Sequence, residues 1–207
     1  MMRYLVLLML SCFMNVTWAD SLDNLSNLLK PYRAFSADFK QTTFNQGGEA
    51  ISQMTGELAI AGEAMFYWRT NSPFAQVIVA DGDVLWVFDE DLYQVQVRPI
   101  DEELRSSPAA ILSGKVETLD LLFTIKEDQD GDIVVYRLEP KAMDEVTKQI
   151  VLRFDGSRLV DLTIKDALGN QSLVTLMKVN LGQPESNIFQ FTPPEGADIV
   201  YAIGKEP

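Results

Sequence analysis

The sequence predicts a single, mainly β domain: an antiparallel sheet preceded by one helix and interrupted by one helical insertion. Residues 35–181 contain eleven short segments of strand-like composition, and nearly all are separated by only a few turn-forming residues. Short connections favour an antiparallel meander, because parallel neighbours need a long crossover. Since no repeat, linker or change of composition divides the chain, one domain is expected.

The elements follow in a clear order. An amphipathic helix is predicted over 21–32, capped by Ser21 and ended near Pro31, with Leu22, Leu25, Leu28 and Leu29 on one face. Two short helices are predicted at 108–113 and 116–122. The predicted strands are 35–45, 50–60, 64–71, 75–80, 84–88, 92–98, 123–128, 133–139, 149–154, 158–165 and 171–181.

Some predicted strands are apolar on both faces, notably 64–68, 77–80 and 84–88. In the strand 149–154, by contrast, apolar residues at alternate positions (Ile150, Leu152 and Phe154) predict a single apolar face. An antiparallel strand needs two apolar faces only when each face is covered. The short helices could cover one side of a strongly curved sheet. Because they are too small to fill a wide interior, an apolar ligand cavity is one interpretation, and a tightly packed core is the other.

The first nineteen residues have the pattern of a secretory signal peptide. Arg3 gives a positive start, residues 4–10 form a short apolar run, and Ala19 is a suitable cleavage site. Cleavage there leaves 188 residues (20–207) without cysteine, in an exported protein that has no membrane-spanning segment. Cys12 offers a competing interpretation, as the acylated cysteine of a lipoprotein.

Charge and composition narrow the function classes. Loss of Arg3 with the signal peptide changes the formal charge from −13 to −14, which argues against nucleic acid and anionic membranes as partners. The chain has no histidine, which removes the usual general base and the commonest zinc ligand. The acidic run 127–132 fits a hairpin turn better than a calcium loop. We therefore expect no catalytic residue, metal or cofactor, although an enzyme acting on acyl chains or glycans remains an alternative.

Five ordered motifs carry a family resemblance. They are FSADFKQT (35–42), GELAI (56–60), MFYWRTNSPFAQVIVADGDVLWVFDEDLYQVQVRPI (65–100), SPAAILSG (107–114) and FQFTPPEGADIV (189–200). Together they resemble the periplasmic outer-membrane lipoprotein carrier family, LolA, over nearly the whole mature chain.

The resemblance implies an unclosed β-barrel of about eleven antiparallel strands, with a lid of short α-helices over an apolar cavity. The cavity would hold the acyl chains of triacylated lipoproteins. These would be received from an inner-membrane ABC transporter and passed across the periplasm, by a monomeric carrier, to an outer-membrane receptor. The same fold could also serve as a lipid-binding or sensor domain for other acylated ligands, although a sensor would normally show a second domain or a membrane segment.

The same resemblance suggests particular site residues. The cavity wall is predicted to contain Met54, Leu58, Phe66, Trp68, Val79, Trp86, Phe88 and Tyr93. The lid is predicted to contain Leu25, Leu28, Leu29, Ala109, Ala110, Ile111, Leu112, Leu119 and Leu122. Gly62 stands where family members often have an arginine that holds the lid shut. Either Arg69 or another donor replaces that clasp, or the closed lid rests on apolar contacts alone.

Overall fold

The computed structural model describes residues 19–62, 64–100, 111–112, 116–142 and 147–201. Within these residues the chain forms one twelve-stranded sheet. The first six strands are β1 (Ala34–Phe44), β2 (Ala50–Ala61), β3 (Met65–Ser72), β4 (Gln76–Asp81), β5 (Val84–Asp89) and β6 (Gln94–Pro99). The other six are β7 (Phe123–Asp130), β8 (Ile133–Pro140), β9 (Thr147–Asp155), β10 (Arg158–Asp166), β11 (Gln171–Leu181) and β12 (Asp198–Tyr201).

The sheet is unclosed, with the strand order β12-β6-β5-β4-β3-β2-β1-β11-β10-β9-β8-β7. Each hairpin neighbour pairs antiparallel, as its short turn requires. The two halves of the meander are joined by the long-range pair β1–β11, which runs from Phe35 opposite Leu181 to Phe44 opposite Gln171. This pairing brings the first and last strands of the predicted meander together at the middle of the sheet.

The eleven predicted strands are confirmed within one or two residues at their ends. The prediction omitted β12, which pairs parallel with β6, so the sheet is not wholly antiparallel. All four residues of β12 are exposed. Its sequence, DIVY, is short and has no alternation of apolar and polar side chains that would predict a strand. Its strand conformation depends on a partner about a hundred residues earlier in the chain.

In the described part of the chain, α1 (Ala19–Leu29), α2 (Val116–Leu122) and the 3₁₀ turn that follows α1 lie over one face of the sheet, and a second 3₁₀ turn is Ser186–Phe189. Helix α1 begins two residues before the predicted Ser21 cap, and Lys30–Arg33 continues it as a 3₁₀ turn that contains Pro31. Helix α2 agrees with the prediction. Of the helix predicted at 108–113, the described residues Ile111 and Leu112 are helical, and the others lie outside the described part of the chain.

The 3₁₀ turn fixes the end of α1 to the sheet. The buried hydroxyl of Tyr32 accepts a hydrogen bond from the Leu159 backbone N–H at 2.7 Å. The Arg33 carbonyl accepts another from the Gly62 N–H, also at 2.7 Å. The Tyr32 ring packs edge-on against Phe35 at the start of β1. The C-terminal end of α1 is therefore anchored to three separate strands or turns.

The sheet has two differently covered faces, which we name the helix face and the tail face. On the helix face, Leu58, Trp68, Ile78 and Val87 lie opposite one another on β2 to β5 and belong to the cluster that includes the α1 leucines. On the tail face, Val79, Trp86 and Val97 form a parallel row beneath the chain that follows β11. Directly opposed residues share a face, so the register alone separates the two sets.

Gly56 is required where β1, β2 and β3 come closest. A side-chain carbon there would collide with the Arg69 carbonyl oxygen and lie 2.7 and 2.8 Å from two ring carbons of Phe39. We predict that Gly56→Ala lowers the free energy of unfolding by about 3 kcal/mol, because both neighbours are buried or backbone atoms and cannot move freely. Urea unfolding measures this. Gly47→Ala, at an exposed turn, is the control, and equal stability of the two variants would contradict the prediction.

Tyr32→Phe removes the hydroxyl that accepts from Leu159 without changing the ring. Because the Leu159 N–H is then left buried without this partner, we expect a loss of about 1–3 kcal/mol in unfolding free energy. Tyr201→Phe, at an exposed position of β12, should be neutral. Thermal or urea unfolding compares the two, and a neutral Tyr32→Phe would show that this hydrogen bond does not anchor the 3₁₀ turn.

Candidate functional site

The apolar helix face is covered by side chains from the helical segments. Leu25 and Leu29 of α1 are fully buried, and Ile111, Leu112 and Leu119 are at most 2 % exposed. All five belong to one cluster with residues from ten strands of the sheet, β1 to β5 and β7 to β11. One residue from each of these strands, in chain order, is Phe35, Leu58, Phe66, Ala80, Leu85, Ile125, Leu138, Ile150, Leu162 and Val174. The helical side chains therefore cover the apolar helix face.

The remaining predicted lid residues have mixed positions. Leu28 and Leu122 are half-buried and pack against the same cluster. Ala109 and Ala110 lie outside the described residues. Among the described positions, every predicted lid residue thus contributes to one apolar contact with the helix face.

Four predicted wall residues lie on the helix face. Leu58 and Phe66 are buried in its cluster, and Trp68 is half-buried beside them. The Trp68 ring stacks at a tilt on Phe39, with ring centroids 4.2 Å apart. Met54 is half-buried on the same face of β2, opposite Gln41, two alternations from Leu58.

The other four predicted wall residues do not lie on the helix face. Val79 and Phe88 are buried in the tail-face cluster, and Trp86 packs against it. Tyr93 is 46 % exposed, with its hydroxyl donating to the Glu195 carbonyl at 3.0 Å. The sequence pattern could not distinguish the faces, because β3 to β5 are apolar on both.

The C-terminal segment explains why β5 needs two apolar faces. Phe191 packs against Trp86 and Phe88, with ring centroids 5.6 and 6.1 Å apart. Leu85 and Val87, which alternate with them, face the helix cluster. The strand is therefore a wall between two covered apolar layers, one under the helices and the other under the tail.

Asp81 fixes the orientation of the tail-face tryptophan. Its carboxylate accepts hydrogen bonds from the Trp86 indole N–H at 2.8 Å and from the backbone N–H groups of Asp83 and Val84 at 3.0 Å. Burial raises the pKa of the Asp81 carboxyl, but the hydrogen bonds from Val84, Trp86 and Asp83 outweigh burial and hold the pKa below its ordinary value. The Asp81 carboxylate therefore stabilises the turn before β5 and fixes the Trp86 ring.

Gly62 and Arg69 are the two positions considered for the clasp that holds the lid shut. Gly62 has a φ of +78°, in the left-handed region that favours glycine. Arg69 is engaged elsewhere, since its guanidinium lies 3.3 Å from Glu90 and its position on β3 belongs to the tail face. Arg69 therefore does not replace the clasp.

Sequence reasoning missed most helix-face residues from the second half of the chain. Tyr136, Leu152 and Phe154 are fully buried in the cluster with α1. Alternation in 150–154 predicted one apolar face for that strand, but only the long-range register shows that this face meets the helices. Within the described residues, no acidic, cysteine or histidine group has a metal-binding arrangement, and no helix could cross a membrane.

Known proteins are similar to this chain in sequence and in fold. The family model of the outer membrane lipoprotein carrier protein LolA matches residues 31–192. An outer-membrane lipoprotein carrier protein of Alcanivorax borkumensis is 34 % identical over 190 residues, covering 91 % of each chain. One from Hahella chejuensis is 35 % identical over 186 residues, covering 88 % of each.

A solved structure supports the fold independently. The LolA superfamily protein NE2245 from Nitrosomonas europaea superposes with a TM-score of 0.54 over 85 % of this chain and 98 % of that chain, at 15 % identity. The family match covers most of the chain, and its expected architecture, a helix-covered unclosed sheet, is the one observed. The chain belongs to the LolA family of outer-membrane lipoprotein carrier proteins.

Proposed function

We propose that this protein carries lipoproteins through the periplasm by holding their acyl chains against the helix face of the sheet. The observation that supports this most directly is the single apolar cluster formed by Leu25, Leu29, Ile111, Leu112 and Leu119 with that face. The helical side chains can be displaced as a group, because they come from segments outside the sheet. Relatives across the family carry the name outer-membrane lipoprotein carrier protein.

The energetics favour a displaceable cover. Transfer of each acyl CH₂ from water to an apolar site contributes about 0.8 kcal/mol, so three acyl chains in a permanently open site would be held too tightly for release. Uncovering buried leucines costs about 1.5–3 kcal/mol for each side chain, which offsets part of that gain. The difference in free energy between the empty closed state and the loaded open state is thereby reduced, so that cargo can be both accepted and released.

The route is part of the same proposal. Residues 1–19 act as a cleaved signal peptide and bring the chain to the periplasm. There the protein receives triacylated lipoproteins from an inner-membrane ABC transporter and gives them to an outer-membrane receptor. The formal charge of −14 after cleavage suits encounter with basic surfaces on such partners.

Native mass spectrometry of the mature protein tests this function. After incubation with a detergent-solubilised triacylated lipoprotein, we expect a one-to-one complex, and the same lipoprotein without acyl chains should give none. The mass of the free protein also identifies Asp20 or an acylated Cys12 as its first residue. A folded protein that gives no complex with either form would refute the carrier proposal.

The tryptophans allow the two faces to be tested separately. The chain has three, and cleavage after Ala19 removes Trp18, leaving Trp68 on the helix face and Trp86 on the tail face. In Trp86→Phe, we expect a synthetic triacyl-cysteinyl peptide to change the emission wavelength or intensity of Trp68, because the ligand replaces lid side chains near that ring. In Trp68→Phe, emission from Trp86 should stay unchanged. A response from Trp86 alone would place the ligand on the wrong face.

A further inference from the structure

A polar contact joins α1 to the sheet at a distance from its anchored end. The side-chain amide of Asn24 donates a hydrogen bond to Glu127 Oε2 on β7 at 3.2 Å. The opposite end of α1 is fixed through Tyr32 and Arg33, as described above. The helix is therefore held at its C-terminal end by buried and backbone groups, and closer to its N-terminal end by this exposed contact.

Glu127 occupies a strand position where the pattern calls for an apolar residue. Phe123 and Ile125 precede it at alternate positions and are buried in the helix-face cluster. Glu127 itself lies opposite Tyr136, which is fully buried in that cluster. The alternation of β7 therefore puts Glu127 on the helix face, at the point where burial ends and the strand becomes exposed.

The contact lies at the border of the unclosed sheet. Strand β7 ends the strand order, and α1 packs against both β7 and α2. Asn24 immediately precedes the fully buried Leu25, so a movement of Asn24 away from Glu127 would also withdraw Leu25 from the cluster. Asparagine is a poor residue for a helix interior, and its amide is used here for a bond across to the sheet.

We infer that Asn24 and Glu127 form a latch, a pair of positioning residues that hold α1 over the helix face when the acyl site is empty. In this chain the latch takes the place of the arginine clasp. Gly62 has no side chain for that role, and Arg69 contacts Glu90 instead. The inference rests on the proposed function, since the latch matters only if α1 covers a ligand site. Opening breaks one solvent-exposed hydrogen bond to a carboxylate, so its effect is a modest adjustment of the closed population.

Hydrogen exchange of the ligand-free mature protein tests the latch. We expect the α1 amides to exchange about threefold faster in both Glu127→Ala and Asn24→Thr, since threonine keeps the helix propensity of asparagine but is too short to reach Glu127. The double variant should be no faster than either single one, because all three lose the same bond. Asp128→Ala is the matched control: it changes the next residue of the same strand, removes a contact with Arg137 on the other face, and should leave α1 exchange unchanged. Asn24→Lys restores a donor and should return exchange to the wild-type rate or below, but only while Glu127 is present.

Wild-type exchange in Glu127→Ala or in Asn24→Thr, or equal acceleration in Asp128→Ala, would overturn the latch. Binding of a synthetic triacyl-cysteinyl peptide then separates the latch from the carrier function. If the latch restrains the lid, Glu127→Ala should bind this peptide about threefold more tightly, since the open state is more populated. Faster exchange with no peptide binding in any form, including the wild type, would support the latch as a structural contact and refute the acyl site instead.

Discussion

The main constraint on this structure is an apolar sheet face that the sheet itself does not enclose. Strands β12 and β7 end the strand order, and the described residues give no pairing between them. In a closed barrel the strands would surround their own interior, whereas here α1, α2 and the segment at Ile111 and Leu112 provide the missing cover. The free energy of this apolar burial determines where the helices lie and what uncovering them costs.

The two covered faces differ in how firmly their covers are attached. On the tail face, the cover includes Phe191, which packs against two aromatic rings, and Ala197, after which the chain enters β12 and hydrogen-bonds to β6. On the helix face, α1 is held through a short 3₁₀ turn and the Asn24 contact, with apolar packing supplying the rest. The tail-face cover thus continues into a strand of the sheet, whereas the helix-face cover is a separate layer, as the proposed opening of the helix face would require.

This asymmetry suits a protein that works by solvation. Three of its described carboxylates make structural contacts: Asp81 orients Trp86, Asp161 pairs with Arg153, and Asp166 accepts from the turn at Leu168 and Asn170. None of these pairs opens onto the apolar cluster beneath the helices. Under the proposed function, ligand binding there would depend on the balance between apolar surfaces, the cover's own leucines on one side and acyl chains on the other.

The sequence by itself determined the local structure and the family. Alternation, turn residues and the leucine spacing of α1 located eleven strands and the first helix, because these signals depend only on residues close together in the chain. The ordered motifs identified the family for the same reason. The cavity wall stays a prediction, and four of its residues, Leu58, Phe66, Trp68 and Met54, lie on the helix face. Val79, Trp86 and Phe88 do not, because a strand that is apolar on both sides gives no local sign of which side faces which cover. That assignment, the pairing of β12 with β6 and the meeting of Asn24 with Glu127 each join residues about a hundred positions apart. Only the long-range register of the sheet, set by packing of the whole domain, could decide them.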